Sequence, residues 1–272
     1  MSNHDANLWS LLEHQLHPYP NFRTLLPGDY PRAESYGITA KTMKWYSDNR
    51  DSKMWQHFNL PMLLYSVEYG IDSKVKDLSS SILEAFEEFS KTFSTLPGVT
   101  KTLTPLWKTP WDLADPTFWS VVGEVFMALH AKTKAGLEIL GFAQPIGGGG
   151  KNADIRAKHR GTITHIDVTM GHLTKIIEGD ITAFRKLVED RGKTKLQNKF
   201  KDLPEGENGI VALIFVIQRD NLDRFKTEVD ATDPVYLDSG KKNPFAQVYW
   251  LVGGTKDGKF GFHIIDKSVE VI

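Results

Sequence analysis

The sequence predicts an α/β fold, a mixed sheet flanked by helices, preceded by a mostly helical N-terminal region. Two observations carry this expectation. From residue 117 the hydrophobic pattern runs helix, three short strands, helix and one continuous apolar strand. Ahead of it, helical spacing is broken by aromatic-rich, irregular connections. The expected organisation is a helical region over 1–116 and an α/β core over 117–272.

Each element has its own signal. Leu8, Trp9, Leu11, Leu12 and Leu16 read as a short amphipathic helix stopped by Pro18 and Pro20. Leu60 to Tyr69 reads as a helix, with Pro61 near its start and Gly70 at its end. Ser81 to Leu96 is expected as a helix because Ile82, Phe86, Phe89 and Phe93 recur at helical spacing, with Ser81 and Glu84 as a capping box. That aromatic stripe is core, not a ligand box. Segment 100–116, with three prolines and two tryptophans, reads as an ordered connector between the halves. Phe118, Trp119, Val122, Val125, Phe126 and Leu129 line a helix from 117 to about 134. Strands are expected at 137–143, 152–158 and 162–170, the last two joined by a tight basic turn at His159-Arg160. A basic helix over 182–201, an apolar strand over 209–218, a short helix over 221–229 and strands over 247–253 and 260–266 complete the chain.

Composition narrows the function classes. The 272 residues are 40% hydrophobic and 25% charged, ordinary for a globular protein with a sizeable core. The absence of cysteine excludes disulfides, thiolate zinc sites and a cysteine nucleophile. No apolar run follows a basic start and none reaches about 18 residues, so neither a signal peptide nor a membrane span is expected. A soluble cytoplasmic protein is the default. The net charge of −1 requires any nucleic-acid surface to be a local patch.

Chemistry concentrates on the central hairpin. Asp154 and Asp167 have numbers that sum to an odd value, so a two- or four-residue turn puts both side chains on one sheet face. His165 and Thr169 share that face with Asp167, while Ile166, Val168 and Met170 point away. Glu124, on the preceding helix beside Gly123, supplies a third acid. Three carboxylates suit a hard cation, Mg²⁺ or Mn²⁺. The bland alternatives are a solvated face, a salt bridge to Arg156, an exposed Glu124, a plain strand Thr169 and a neutral hydrogen-bonded His165.

The order helix with Glu124, strand, strand with Asp154, hairpin, strand with Asp167, helix, strand resembles the core of the PD-(D/E)XK nucleases, over roughly residues 117 to 218. The resemblance implies a restriction-endonuclease-like sheet, metal binding by Asp154, Asp167 and Glu124, and hydrolysis of a phosphodiester, with DNA favoured over RNA. It also implies an endonuclease of restriction or defence type. Ala153 stands where the family often has Pro, and Thr169 where it has the catalytic Lys. Family members place that Lys elsewhere, including the following helix. Lys193 or Lys195 there is a candidate, with Lys195 favoured, as are Lys151 and Lys158 on the hairpin. Both helix lysines also fit a solvated helix face.

A basic patch is present. Between Phe184 and Lys201 seven Lys or Arg face two acids. Lys151, Arg156, Lys158, Arg160 and Lys193 are the expected phosphate contacts. GGGGK fails as a Walker A loop, because Pro145 and Asn152 occupy required Gly and Ser/Thr positions. His159, His165 and His172 lack a metal spacing. The alternative to an enzyme is a degenerate nuclease fold that binds nucleic acid or a protein. The N-terminal region is expected to contact substrate or form a homodimer.

Overall fold

The computed structural model describes residues 3–32, 36–38, 41, 44, 48, 59–70, 73–108, 117–147, 150–171, 180–218, 234–238, 241–256 and 259–266. The chain forms two compact units. One comprises Met1–Thr95, Val99–Val122 and Lys259–Gly261; the other comprises Leu96–Gly98, Gly123–Gly258 and Phe262–Ile272.

The first unit is built from helices. They are α1 (Asn3–Leu16), α2 (Pro20–Leu25), α3 (Leu60–Tyr69), α4 (Ser73–Phe93), α5 (Val99–Leu103), α6 (Pro105–Lys108) and the first turns of α7 (Thr117–Thr133). The bounds of α3 match the sequence signals: the Asn59 side chain caps it by accepting from the Met62 N–H at 3.0 Å. Helix α4 starts two turns before the expected site. Leu78 extends the buried stripe of Ile82, Phe86, Phe89 and Phe93 backwards, so Ser81 is a helix-interior residue and the capping box is not formed. Part of the expected connector is helical, as α5 and α6; residues 109–116 and the helix expected over 221–229 lie outside the described residues. Glu87 on α4 caps α2 from a distance. Its carboxylate accepts from the backbone N–H groups of Asn21 and Phe22 at 3.2 and 2.8 Å, where α2 leaves its donors open. The Phe22 ring then meets Phe86 at a tilt of 41°, ring centroids 5.1 Å apart.

The second unit is organised by a mixed seven-stranded sheet. The strands of the sheet are β1 (Glu138–Pro145), β2 (Asn152–His159), β3 (Thr162–Gly171), β4 (Asn208–Gln218), β5 (Val235–Tyr236), β6 (Phe245–Lys256) and β7 (Lys259–Asp266), the last with its first three residues assigned to the first unit. The order is β1-β2-β3-β4-β6-β5, with β7 also paired to β6. The β1-β2-β3 meander is antiparallel, and β3, β4 and β6 run parallel. Strand β5, two residues long, has too little pattern to be read from sequence. The β2–β3 turn is Arg160-Gly161, one residue later than expected, and both residues have positive φ (46° and 94°), the two-residue geometry that suits a hairpin.

Helix α8 (Ile181–Phe200) covers one sheet face. Its Phe184, Val188, Leu196 and Phe200 pack against Val211, Leu213, Phe215 and Ile217 of β4 and the matching residues of β6. Phe184 lies on Trp250 with centroids 5.6 Å apart. The β3–β4 register places Asp167 beside Val211 and Thr169 beside Leu213, so both belong to the face that α8 covers. Helix α7 lies on the opposite face, where Gly123 meets Val168 and Met170 and His130 meets Tyr249. Burial on both faces explains the unbroken apolar run of β4.

Gly171 ends β3 against Phe215. A Cβ there would sit 2.3 Å from Phe215 Cε1, inside a ring that is fully buried. Gly171→Ala is therefore expected to lower stability by about 1–3 kcal/mol, read as a lower urea midpoint at unchanged m-value.

Candidate active site

The site forms where β2 and β3 part. Their pairing runs from His159↔Thr162 to Ile155↔Ile166, while β2 stays paired with β1 as far as Asn152. Beyond Ile166 the N–H of Val168 is offered towards β2, and the Asp154 side chain takes the place of a strand carbonyl. Asp154 Oδ2 accepts that N–H at 2.6 Å. Asp154 and Asp167 meet there as the odd sum predicts, with their charges interacting across the parted strands.

Both carboxylates are enclosed. Asp167 is 1% exposed, and its Oδ2 is buried with no hydrogen-bond partner. The Oδ1 atom receives the Lys199 ammonium at 2.5 Å, and the same ammonium donates to the Asn152 carbonyl at 2.9 Å. Burial raises the Asp154 pKa from 3.8 to about 6, reinforced by the charge of Asp167 and opposed by the Val168 hydrogen bond, Lys199 and Lys195. For Lys199, burial pulls the pKa down, but Asp167, Asp154 and Glu124 outweigh it and the net shift is upward. The ammonium therefore stays charged.

Lysine delivery is a helix-face effect. Arg191, Lys195 and Lys199 are half-buried beside the buried stripe of Gly192, Leu196 and Phe200. Cations four apart stand above one another along a helix. Lys195, the helix lysine favoured from the sequence, lies on this line and acts on Asp154 electrostatically. Lys199, one turn further on and not among the expected candidates, makes the contact. The missed signal was this four-residue spacing, with each cation placed just before a buried position. Lys193 does not approach the carboxylates: it lies on the outer face of α8, paired with Glu189 at 2.5 Å.

The other residues fall into place around this pair. Glu124 follows Gly123, whose missing side chain lets α7 lie close on β3; a Cβ there would be 2.5 Å from Met170 Sδ. From that position Glu124 acts on the Lys199 charge. Among the described residues no three His, Asp or Glu side chains are gathered as a ready ion cage; the close acids are the pair. Thr169 Oγ1 is buried and unpartnered on the Asp167 face. His165 is buried, its Nε2 2.6 Å from Glu207 Oε2. Arg156 pairs across the strands with His165, and its Nε makes no hydrogen bond, so the ion-pair partner of the acids is Lys199 and not Arg156. Lys158 is exposed and Lys151 half-buried, at opposite ends of β2, and Arg160 is at the hairpin tip. Ala153, fully buried, belongs to the α8-side core.

The donor set fits a hard divalent cation. Two carboxylates supply oxygen ligands, one oxygen is buried without a partner, and burial resists the negative charge of Asp154, which a cation would relieve. No helix among the described residues is long and apolar enough to cross a membrane. No family model, curated protein or solved structure matches this chain.

The raised Asp154 pKa has a stability consequence. Its folded-state value, about 6, lies above the ordinary 3.8, so the folded chain favours the neutral acid. That contribution is complete below pH about 4 and is lost as the pH rises through 6. In metal-free buffer Asp154→Asn should stabilise the protein by roughly 1–3 kcal/mol at pH 7.5, and the gain should vanish near pH 4. Chemical denaturation of both proteins at the two pH values checks this; an equal effect at both would remove the assignment.

Proposed function

We propose that the chain is a metal-dependent nuclease of restriction-endonuclease-like fold that hydrolyses phosphodiester bonds, with DNA as the favoured substrate and a restriction or defence role. The observation that carries this reading is the Lys199 ammonium on Asp167, beside the enclosed Asp154. It supplies from the following helix the cation that Thr169 removes from the strand. The order that carries the resemblance is present in α7, β1, β2, β3, α8 and β4.

Asp154 and Asp167 would hold Mg²⁺ or Mn²⁺, with Glu124 assisting. When bound, the ion lowers the pKa of a water and polarises a phosphoryl oxygen. Lys199 would neutralise charge that develops on the phosphoryl oxygens during attack. The helix carries Lys195 one turn earlier, which supports the charged state of Asp154. The unpartnered Thr169 hydroxyl stands ready to orient a water or substrate oxygen. Lys151, Arg156, Lys158 and Arg160 would track phosphates along β2 and its hairpin, with Lys193 on the outer helix face.

A binding module without catalysis draws on the same ion pair, since Lys199 already neutralises Asp167. Cleavage separates the two. With Mg²⁺ or Mn²⁺ the native chain is expected to cut plasmid or single-stranded DNA, and Asp154→Asn, Asp167→Asn and Lys199→Met each to lose about 100-fold or more. Lys193→Ala is expected to keep the cutting rate at saturation and to reduce the salt slope of DNA binding by about 1. Salt-dependent DNA binding with no cutting by any form would instead establish the binding module.

A further inference from the structure

Lys199 occupies a carboxylate that the proposed metal ion also needs. Asp167 is 1% exposed and its Oδ2 has no hydrogen-bond partner. Solvent cannot screen a carboxylate so enclosed, so a cation has to stay beside it in every state of the site. In the metal-free chain that cation is the Lys199 ammonium, 2.5 Å from Oδ1. The two oxygens of one carboxylate hold their partners only a few ångströms apart. A divalent ion on Asp167 would therefore repel the ammonium strongly in this buried setting. The two cations compete for one acid.

Of the three charged groups, only the lysine is built to move. Its side chain is 28% exposed, against 2% for that of Asp167. It is the penultimate residue of α8, and its ammonium rides on a flexible four-carbon stem. Its second bond is to the Asn152 carbonyl at 2.9 Å, at the exposed start of β2, so the ammonium already reaches the edge of the site. Asp154 is tied down by the Val168 N–H at 2.6 Å, and Asp167 is fixed by its place within β3. The other recess on this strand is a cavity of about 400 Å³ at the hairpin tip, bordered by Thr162 and Glu207. Thr162 is five strand positions from Asp167, roughly 17 Å at the usual rise, so the cavity offers the ammonium no competing partner.

We propose that Lys199 is a resident counter-ion that opposes metal binding until a nucleic-acid phosphate draws it off Asp167, so that metal and phosphodiester bind cooperatively. The proposal rests on the nuclease reading and adds an order of events to it. Without substrate, the ammonium neutralises Asp167 and keeps the affinity for a second cation low. A backbone phosphate offers the ammonium another anion, and the released carboxylate accepts the metal. The chain then holds its metal firmly only when substrate is present. By linkage, the metal strengthens binding of the phosphodiester by the same factor.

The test reads metal binding and needs no cutting. Free Mn²⁺ is followed by its paramagnetic resonance signal in the presence of the full chain, first alone and then with one of two oligodeoxynucleotides. A phosphorothioate one keeps the backbone charge and resists cleavage; a methylphosphonate one lacks the charge. Each titration is corrected for Mn²⁺ taken up by the oligonucleotide itself. The phosphorothioate is expected to tighten Mn²⁺ binding by about tenfold, and the methylphosphonate to leave it within about twofold. Without any oligonucleotide, Lys199→Met should tighten Mn²⁺ by about tenfold, and the later gain from the phosphorothioate should shrink to match. Lys193→Met removes the same charge from the outer face of the helix and should change Mn²⁺ affinity by less than about twofold. A folded Lys199→Met chain that binds Mn²⁺ no more tightly than the native one overturns the proposal. So does a native chain that gains nothing from the phosphorothioate, or gains as much from the methylphosphonate; these two comparisons decide alone if Lys199→Met does not fold. Tightening by Lys199→Met in a chain that never cuts DNA would end the nuclease reading and keep the exchange. DNA cutting by a chain whose Mn²⁺ affinity ignores Lys199 would do the reverse.

Discussion

Asp154 and Asp167 are carried into the interior at the point where β2 leaves β3, and Lys199 is the cation that meets them. Burying two carboxylates within reach of each other is costly unless charge is returned to them. The rest of the second unit supplies that charge and the walls around it. Parting of the strands opens a Val168 N–H for Asp154. The α8 stripe seats the helix so that Lys199 lands on Asp167. On the other face, Gly123 brings α7 down until Glu124 acts on the same ammonium. Even so, Asp167 Oδ2 is unpartnered and Asp154 resists ionising. A protein that only needed a stable core would be better served by apolar residues here, and this imbalance favours a functional reading.

Much of this arrangement was legible in the sequence, and the failures have physical causes. The odd sum of Asp154 and Asp167 sets their shared register because a strand alternates with period two and the hairpin turn is two residues. Helix α7 was clear from its helical apolar spacing, and β4 from its unbroken apolar run. Helix α4 was misplaced at its start because Ser81 and Glu84 imitate a cap inside a helix that tertiary packing extends through Leu78. Lys199 was missed in favour of Lys195 because both lie on one helix line, and only the angle at which α8 crosses the sheet decides which turn reaches the acids. Strand pairing decides the Asp154 hydrogen bond, and no local pattern announces where two strands separate.

The cavity at the hairpin tip was invisible for a related reason. His159, Arg160, Thr162, Glu207, Asn208 and Asn243 come from three distant segments, and no local pattern brings them together. Their meeting depends on the parallel pairing of β4 with both β3 and β6 and on Gly209 allowing close approach. Strand β3 ties the two features together: its start borders the cavity and its middle bears Asp167. One rigid strand thus sets the distance between a charge-poised site and a polar recess, which is how a scaffold fixes spacing better than a loop would.

The most direct measurement of the central claim is a crystal structure of the chain with Mn²⁺, using anomalous scattering to place the ion. The account predicts one principal peak within bonding distance of both Asp154 and Asp167, with Lys199 no longer in sole possession of Asp167. An Asp154 and Asp167 pair that remains bare at saturating Mn²⁺, with Lys199 still on Asp167 and any peak elsewhere, would contradict it.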